Sequence, residues 1–353
     1  MLSGFDPDAS LWVAGAAGAV LCGCFLLARL RYLAIPPLSS ATPADAPDCM
    51  VVIPARNEES FIAEAVSSLP NDTVIVVDDH SSDHTAEAAR KAGAGVIPAG
   101  EPGPGVSGKA NACMAGARLL DSKWILFADA DTRFAPGFLN AAVASAEASG
   151  LSFLSIYLRA EFTGLGDRVL GPYAQALYFV GITPRGDPAA IFNGQCLLVQ
   201  REPYQFLGGH AAVLNSLVDD VKLAALARRH RLKFSTARTE SLGRVRFRDL
   251  KATFLRSGFR FLLTGWWSGI AILLAALLAA MWLPVLAWLL AENHGIAAAI
   301  FGLLPTVLLL PWYRNVWSAI VAPLAIYRIL PILFRAAGAA LLGRRVEWKD
   351  RLI

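Results

Sequence analysis

Two short apolar stretches of this sequence are each followed by a pair of acidic residues. Asp129 and Asp131 come directly after the run WILFA. Residues i and i+2 of an extended segment point the same way, so both carboxylates are placed to face one divalent ion. Carboxylate oxygens suit Mg²⁺ or Mn²⁺, which often bridge protein carboxylates to a diphosphate. A turn after the strand is the alternative, because aspartate is common there.

The second acidic pair, Asp78 and Asp79, follows the apolar run VIVV. A carboxylate at this position is able to accept a hydrogen bond from the imide N–H of a uracil or a similar base. A cap on the next helix is the competing explanation, since aspartate is a preferred capping residue.

The stretch GPGVSGKA, residues 103–110, nearly matches the phosphate-binding loop of ATPases and GTPases. That loop needs a hydroxyl after its lysine to bind Mg²⁺, and Ala110 has none. Lys109 still supplies a point charge for a phosphate, and Gly108 lets backbone approach closely. A solvated lysine in a loop is the alternative.

A third acidic pair, Asp219 and Asp220, opens a predicted helix, where the helix dipole stabilises negative charge. Adjacent residues of a helix point in different directions. One of the two carboxylates is therefore free to face a cleft as a general base, although a purely structural role at the helix start also explains such a residue.

Between residues 48 and 245 the sequence alternates short β-branched runs with segments of helical periodicity. This alternation predicts βαβ units and a largely parallel sheet. In such sheets ligands bind outside the carboxyl ends of the strands. The polar groups at residues 56–58, 78–79 and 129–131 each follow a predicted strand, so we expect them to converge on one site.

The chain also contains long apolar runs, and its mean hydropathy is +0.48. The runs at residues 10–30 and 265–291 are long enough to cross a membrane as helices. A third continues to about residue 342, where we expect two spans and one interfacial helix in the C-terminal region. Arg29 and Arg31 follow the first run, so the positive-inside tendency places the central region in the cytoplasm. No basic residue precedes that run, which disfavours a cleaved signal peptide.

The charge pattern and the cysteines exclude other classes of protein. The net charge of +4 suits a protein at an anionic membrane, and no basic patch interleaved with aromatic residues indicates nucleic-acid binding. The five cysteines lack zinc-site spacing, so we expect them to serve packing. Residues 244–267 predict an interfacial helix, from which Arg256 and Arg260 could reach a diphosphate or a lipid phosphate.

Six motifs in order resemble those of family 2 glycosyltransferases: VVIPARNEE, VVDDHSSDHTAE, SGKANACMAGA, ILFADADTRFAPG, NGQCLLVQRE and LVDDVKLA. The resemblance implies a GT-A fold, Rossmann-like with a mostly parallel sheet, flanked by N- and C-terminal transmembrane helices. It also implies inverting transfer of a sugar from a nucleotide donor, for which we expect a UDP-sugar, with Mg²⁺ or Mn²⁺ as cofactor. NGQCLLV, LGGH and RVEWKDR are most similar to bacterial carotenoid-acid glucosyltransferases and hopanoid-associated enzymes.

The resemblance assigns roles to individual residues, carried over motif by motif. Asp220 takes the position of the catalytic base, preceded by Asp219 where the family usually has glutamate. Asp129 and Asp131 form the metal-binding pair, and Asp129 also faces the donor. The remaining positions are the nucleotide side, Pro54, Arg56, Glu58, Asp79, Gly108 and Lys109, and the acceptor side, Asn193, Gly194, Gln195, Arg256 and Arg260.

The expected organisation is an anchor at residues 1–33, a catalytic domain at 48–245, an interfacial segment at 246–264, membrane or interfacial helices at 265–342 and a basic tail at 343–353. The expected location is a bacterial-type inner membrane, with several spans, a cytoplasmic catalytic domain and a lipid acceptor. A processive polysaccharide synthase is an alternative that the missing Gln-x-x-Arg-Trp motif near Arg256 disfavours. A P-loop NTPase and a vestigial membrane scaffold are two further alternatives.

Overall fold

In the computed structural model of this chain, the described residues form three sheets and a set of long apolar helices. The described residues are 8–38, 47–181, 193–216, 219–247, 249–255, 266–343, 347–348 and 351–352. They divide into two compact units. The sheet unit comprises Ile35–Glu161 and Pro184–Arg248, and the helical unit comprises Met1–Ala34, Phe162–Thr183 and Asp249–Ile353.

The strands are β1 Cys49–Ala55, β2 Val74–Asp78, β3 Gly95–Pro98, β4 Trp124–Ala128, β5 Thr132–Phe134, β6 Phe153–Tyr157, β7 Arg159–Glu161, β8 Cys196–Gln200, β9 Phe234–Arg238, β10 Gly243–Arg246, β11 Glu347–Trp348 and β12 Arg351–Leu352. The helices are α1 Ala9–Ala34, α2 Glu59–Ser67, α3 Thr85–Lys91, α4 Gly108–Ala117, α5 Phe138–Ala148, α6 Leu165–Gly181, α7 Arg201–Phe206, α8 Asp219–Arg229, α9 Trp266–Ala280, α10 Trp282–Ala291, α11 Gly295–Leu309, α12 Val316–Val321 and α13 Ile326–Leu341.

The main sheet has seven strands in the order β3-β2-β1-β4-β8-β6-β9. Every neighbouring pair is parallel except the two pairs made by β8, which runs antiparallel to β4 and to β6. All five residues of β4 are buried, as expected of a parallel strand covered on both faces. The predicted mixed α/β fold with a mostly parallel sheet is confirmed.

Helices cover both faces of this sheet and give it two apolar layers. Helix α4 packs closely on β1 because its Gly116 has no side chain. A Cβ atom there would lie 2.6 Å from Val52 Cγ1 and 2.9 Å from Val77 Cγ2. This close approach holds the C-terminal end of α4, the helix whose first turn contains Lys109, against β1 and β2.

A second, three-stranded sheet has the order β5-β10-β7. Strand β10 pairs antiparallel with β5 and parallel with β7. The sequence predicted an interfacial helix beginning at Arg244, but Gly243–Arg246 is the central strand of this sheet. The pairing partners lie more than 80 residues away along the chain, so local periodicity does not indicate them.

Among the described residues, the helical unit contains four helices long and apolar enough to cross a membrane: Ala9–Ala34, Trp267–Ala291, Gly295–Trp312 and Val316–Leu341. Three of these belong to the C-terminal region, where the sequence favoured two spans and an interfacial helix. The unit also takes in α6, which interrupts the continuous domain expected for residues 48–245. Arg31 Nη1 donates hydrogen bonds to the carbonyls of Phe179 (3.1 Å) and Val180 (2.6 Å), the last turn of α6.

Candidate active site

The strand ends expected to carry ligands lie together at one edge of the main sheet. Strands β2, β1 and β4 are neighbours and run parallel, so their carboxyl ends share that edge. Arg56 follows β1, Asp79 follows β2, and Asp129 follows β4. This is the position in which open α/β sheets bind ligands.

At the end of β2, buried Asp79 contacts Arg56 of the loop after β1, and its neighbour His80 contacts Glu101 of the loop after β3. Arg56 Nη1 donates to the Asp79 carbonyl at 2.8 Å. His80 Nδ1 lies 3.3 Å from Asp79 Oδ1, and His80 Nε2 lies 3.1 Å from Glu101 Oε1. The sequence alone assigns no role to His80 or to Glu101. The adjacency of His80 to Asp79 was the available signal.

The loop after β1 is fixed by hydrogen bonds rather than by apolar contacts. The backbone N–H of Glu58, a buried residue, donates to Thr85 Oγ1 at 2.7 Å. Asn57 has a positive φ of 53°, and its Oδ1 accepts from the Ser82 N–H at 2.8 Å. Pro54 lies within β1, opposite Val77. These contacts explain how Asn57 and Glu58 hold the loop in place, and contact of Pro54 and Glu58 with a nucleotide stays a prediction.

Lys109 lies in the first turn of α4, directly after Gly108 and the capping residue Ser107. Its Nζ is 2.5 Å from Asp129 Oδ1 and 2.8 Å from the carbonyl oxygen of Gly194. Burial opposes its charge, but the carboxylates of Asp129 and Asp219 raise the pKa of Lys109 above its usual range. Lys109 is therefore charged at neutral pH, and it holds the first aspartate of the Asp-x-Asp pair.

Gly194 connects this lysine to the predicted base. While its carbonyl accepts from Lys109, its N–H donates to Asp220 Oδ2 at 3.0 Å. Gly194 thus contacts both Lys109, on the predicted donor side, and Asp220. A Cβ atom on Gly194 would lie 2.9 Å from Asp220 Oδ2, so only glycine fits without a shift of that carboxylate.

The residues on either side of Gly194 hold its loop in place. Asn193 Nδ2 donates to Gln195 Oε1 at 3.1 Å, and the Gln195 N–H donates back to Asn193 Oδ1 at 3.2 Å. The Asn193 N–H donates to Ser155 Oγ at 2.6 Å. The Gln195 carbonyl accepts from the Asp129 N–H at 3.0 Å. Both predicted acceptor-side polar residues therefore position the loop, and sequence reasoning missed Ser155.

The two adjacent aspartates at the start of α8 point in different directions, as predicted. Asp220 accepts from the N–H groups of Gly194 and Val221. Asp219 is 5% exposed, and its charge raises the pKa of Lys109. The same charge opposes the burial that lowers the pKa of His210 to about 4. Asp219 is thus a buried countercharge, whereas Asp220 lies at the Gly194 loop.

The Asp129–Asp131 pair fits a metal that arrives with its substrate. Among the described residues, no group of three His, Cys, Asp or Glu side chains is arranged to hold a metal ion by itself. Mg²⁺ and Mn²⁺ commonly take one or two carboxylates and complete their shell with phosphates and water. The carboxylates of Asp129 and Asp131 would supply the two protein ligands that such an ion needs. Arg256 and Arg260, also predicted here, lie outside the described residues.

Burial of three of the five cysteines agrees with the packing role expected of them, whereas Cys22 and Cys24 are half-buried. Cys49, Cys113 and Cys196 are buried, and all five are free thiols. Burial raises the pKa of Cys49 to about 12 and that of Cys196 well above its usual value. Thiols of this kind are inert as nucleophiles at neutral pH.

Residues 50–208 match the family model described as Glycosyl transferase family 2. The chain carries a family 2 glycosyltransferase domain. The match takes in residues 103–110, so the lysine loop belongs to this domain and not to a P-loop NTPase. It also contains the Asp129–Asp131 pair and the Gly194 loop.

Curated relatives and solved structures agree with this assignment. The chain is 27% identical over 251 residues to a 4,4'-diaponeurosporenoate glycosyltransferase of Staphylococcus haemolyticus, covering 63% of this chain and 60% of the relative. It is 34% identical over 122 residues to one of Staphylococcus aureus, covering 33% and 31%. The matches therefore span less than two thirds of the length of these relatives.

The fold is also shared with a solved structure. The mannosyltransferase PcManGT of Pyrobaculum calidifontis, in complex with GDP-Man and Mn²⁺, superposes with a TM-score of 0.55 and 21% identity. The alignment covers 94% of this chain and 98% of the mannosyltransferase. At this level of identity the likeness establishes the fold alone, which is GT-A.

Proposed function

We propose that this protein is an inverting glycosyltransferase that moves a sugar from a nucleotide donor to a lipid at the cytoplasmic face of a membrane. The observation that carries the proposal is the series of direct contacts Asp129–Lys109–Gly194–Asp220. It links the residues expected at the donor diphosphate to the residue expected to act as base. Transfer in one step requires both within a single pocket.

In this proposal Asp220 accepts the proton of the acceptor group while that group attacks the anomeric carbon, on the face opposite the nucleotide. Its hydrogen bonds to Gly194 and Val221 hold the carboxylate in place. Asp131 and Asp129 would hold the divalent ion, which when bound stabilises the departing diphosphate. Lys109 fixes the orientation of Asp129 and adds positive charge beside the leaving group.

The proposed donor is a nucleotide sugar bound with Mg²⁺ or Mn²⁺. Support comes from the solved mannosyltransferase, which contains GDP-Man and Mn²⁺ and shares this fold. Asp79 and Arg56 would hold the nucleotide base of the donor, which we expect to be the uracil of UDP. A direct comparison of UDP and GDP donors distinguishes the two bases.

The proposed acceptor is an isoprenoid lipid such as a carotenoid or a hopanoid. The curated relatives are named for a carotenoid acid, and four helices in the described part of this chain are apolar enough to cross a membrane. The location of the domain in the cytoplasm rests on Arg29 and Arg31 after the first span. A family 2 polysaccharide synthase is the alternative, and repeated sugar addition to one acceptor would favour it.

A comparison of three enzyme forms tests the proposed chemistry. We expect Asp220→Asn to bind the nucleotide normally but to transfer sugar to a hydroxyl acceptor about 10²–10⁴ times more slowly. A carboxyl acceptor is already ionised at neutral pH, so the loss there should be smaller. Asp121→Asn, at an exposed position, is the matched control. Unchanged transfer to the hydroxyl acceptor by Asp220→Asn, or full activity of wild type in EDTA, would contradict these assignments.

A further inference from the structure

The three-stranded sheet carries a row of arginines across one face. Arg244 of β10 pairs directly with Arg133 of β5 and with Arg159 of β7. Directly paired residues of adjacent strands point to the same face. Arg246, two residues further along β10, lies on that face too and pairs with Glu161. We call Arg133, Arg159, Arg244 and Arg246 the arginine strip.

The opposite face of the sheet is its apolar side. Thr132, Phe134 and Val245 alternate with the arginines and are all buried. Like charges placed directly opposite each other destabilise a sheet. Burial lowers the pKa of Arg133, and the charges of Arg246 and Arg244 lower it further while Glu161 opposes them. The strip therefore costs folding free energy unless further negative charge joins it.

Two carboxylates partly neutralise the strip. Glu161 contacts Arg244 Nη1 at 3.0 Å and lies 3.9 Å from Arg246 Nη2. Glu64 forms an ion pair with Arg133. Four guanidinium groups thus share two ion-paired carboxylates among the described residues, which leaves positive charge in excess along the face.

Two donors of the strip have no partner in the described part of the chain. The Nε atoms of Arg159 and Arg246 are buried and make no hydrogen bond. Within the described ranges, the side chain of Arg159 donates to the neutral carbonyl of Glu240, through Nη1 at 3.1 Å. Buried donors of this kind usually have a partner, and guanidinium groups match carboxylate and phosphate oxygens.

The strip begins beside the Asp-x-Asp pair. Strand β5 starts at Thr132, the residue after Asp131, and the N–H of Arg246 donates to the carbonyl of Asp131 at 2.9 Å. An anion on the strip would therefore lie next to the metal-binding pair, whereas Lys109 is hydrogen-bonded to Asp129.

We propose that the arginine strip binds the acidic group of the acceptor, a carboxylate or a phosphate, and selects acidic over neutral lipids. The proposal rests on the proposed function, because it assumes that a lipid acceptor enters beside Asp131. Charge complementarity carries it: the strip is cationic, has unused donors and adjoins the reaction centre. The relatives named for a carotenoid acid fit this preference.

Binding of three isoprenoid probes tests the strip without turnover. Full-length protein in neutral detergent is titrated with farnesoic acid, farnesyl phosphate and farnesol, and UDP binding is measured in the same samples. We expect at least one acid to bind wild type about tenfold or more tightly than farnesol. Arg244→Gln and Arg159→Gln should remove most of that difference and leave farnesol and UDP affinities unchanged. Arg90→Gln, an exposed arginine of α3, should change nothing.

Several outcomes would overturn the proposal. Equal binding of the acids and farnesol to wild type would do so. If the two arginine variants lose affinity for UDP and keep their affinity for the acids, the strip belongs to the binding site of the nucleotide donor. Displacement of the acids by inorganic phosphate, or by phosphatidylglycerol in mixed micelles, at equal concentration would indicate a general anion site or a membrane contact. If the protein binds the acids selectively but binds no nucleotide sugar, the strip is an acid-binding site and the proposed function is wrong.

Discussion

Replacing Gly194 with alanine tests the geometry of the site most sharply. The added methyl group points at Asp220, with its carbon 2.9 Å from Oδ2, 3.3 Å from Cγ and 3.4 Å from Cβ. The φ angle of Gly194 is not among the positive ones of the described residues, so alanine adds no backbone strain there. The whole effect should therefore come from displacement of the carboxylate.

The size of the effect follows from these distances. Ordinary contact begins at 3.4 Å, so the carboxylate must move by about 0.5 Å, which disturbs its 3.0 Å hydrogen bond to the Gly194 N–H. Misplacement of a catalytic group by 1 Å costs about 10²-fold in rate, so we expect kcat to fall by about 10-fold or somewhat more. The KM for the donor should change little, because the carbonyl that accepts from Lys109 remains.

Steady-state kinetics with varied donor and saturating acceptor separate these two constants. Gly95→Ala is the control, since its methyl group would meet atoms no closer than 3.8 Å. If Gly194→Ala raises the donor KM and leaves kcat unchanged, the Gly194 loop acts on the donor and not on Asp220. A fall in melting temperature alone, with kinetics unchanged, would likewise refute the reasoning.

Three further changes have defined outcomes. Lys109→Met should lower kcat/KM for the donor by about 10² or more, since the charge that holds the first aspartate is lost, and unchanged kcat/KM would reject that role. The pKa of buried His210 is about 4 in the folded chain against about 6.5 unfolded. The contribution of neutral His210 to the free energy of unfolding is therefore fully present above pH 6.5, and it falls by up to about 3 kcal/mol as the pH drops toward 4. His210→Phe should flatten this dependence in urea titrations, whereas the exposed His84→Gln should not. Gly116→Ala should destabilise the protein by about 1–3 kcal/mol through overpacking, and Gly166→Ala, which meets nothing within 4 Å, should not.

Much of the sheet could be predicted because its signals are local. Short β-branched runs ending in polar residues indicated β1, β2 and β4, and the parallel order followed from the alternation with helices. The Asp-x-Asp pair and Lys109 were recognisable for the same reason, since each lies within a few residues of a strand end or a helix start. Their direct contact required the structure.

Other features depend on pairing across the chain and left no local signal. The contact of Lys109 with Gly194 joins residues 85 positions apart, and the arginine strip exists only because β10 pairs with β5 and β7. Helix α6 was missed as well. Its sequence contains Pro172 and several glycines, which argue against a helix, and the helical unit packs around it.

The central claim is sugar transfer from a nucleotide donor to a lipid. The most direct test incubates the full-length protein in detergent with UDP-, GDP- and dTDP-sugars, Mn²⁺ and a membrane lipid extract, followed by mass spectrometry of the lipids. We predict a lipid whose mass increases by one sugar residue, formed with wild type and lost on chelation of the metal. Nucleotide release without any glycosylated lipid, or no reaction with every donor, would contradict the account.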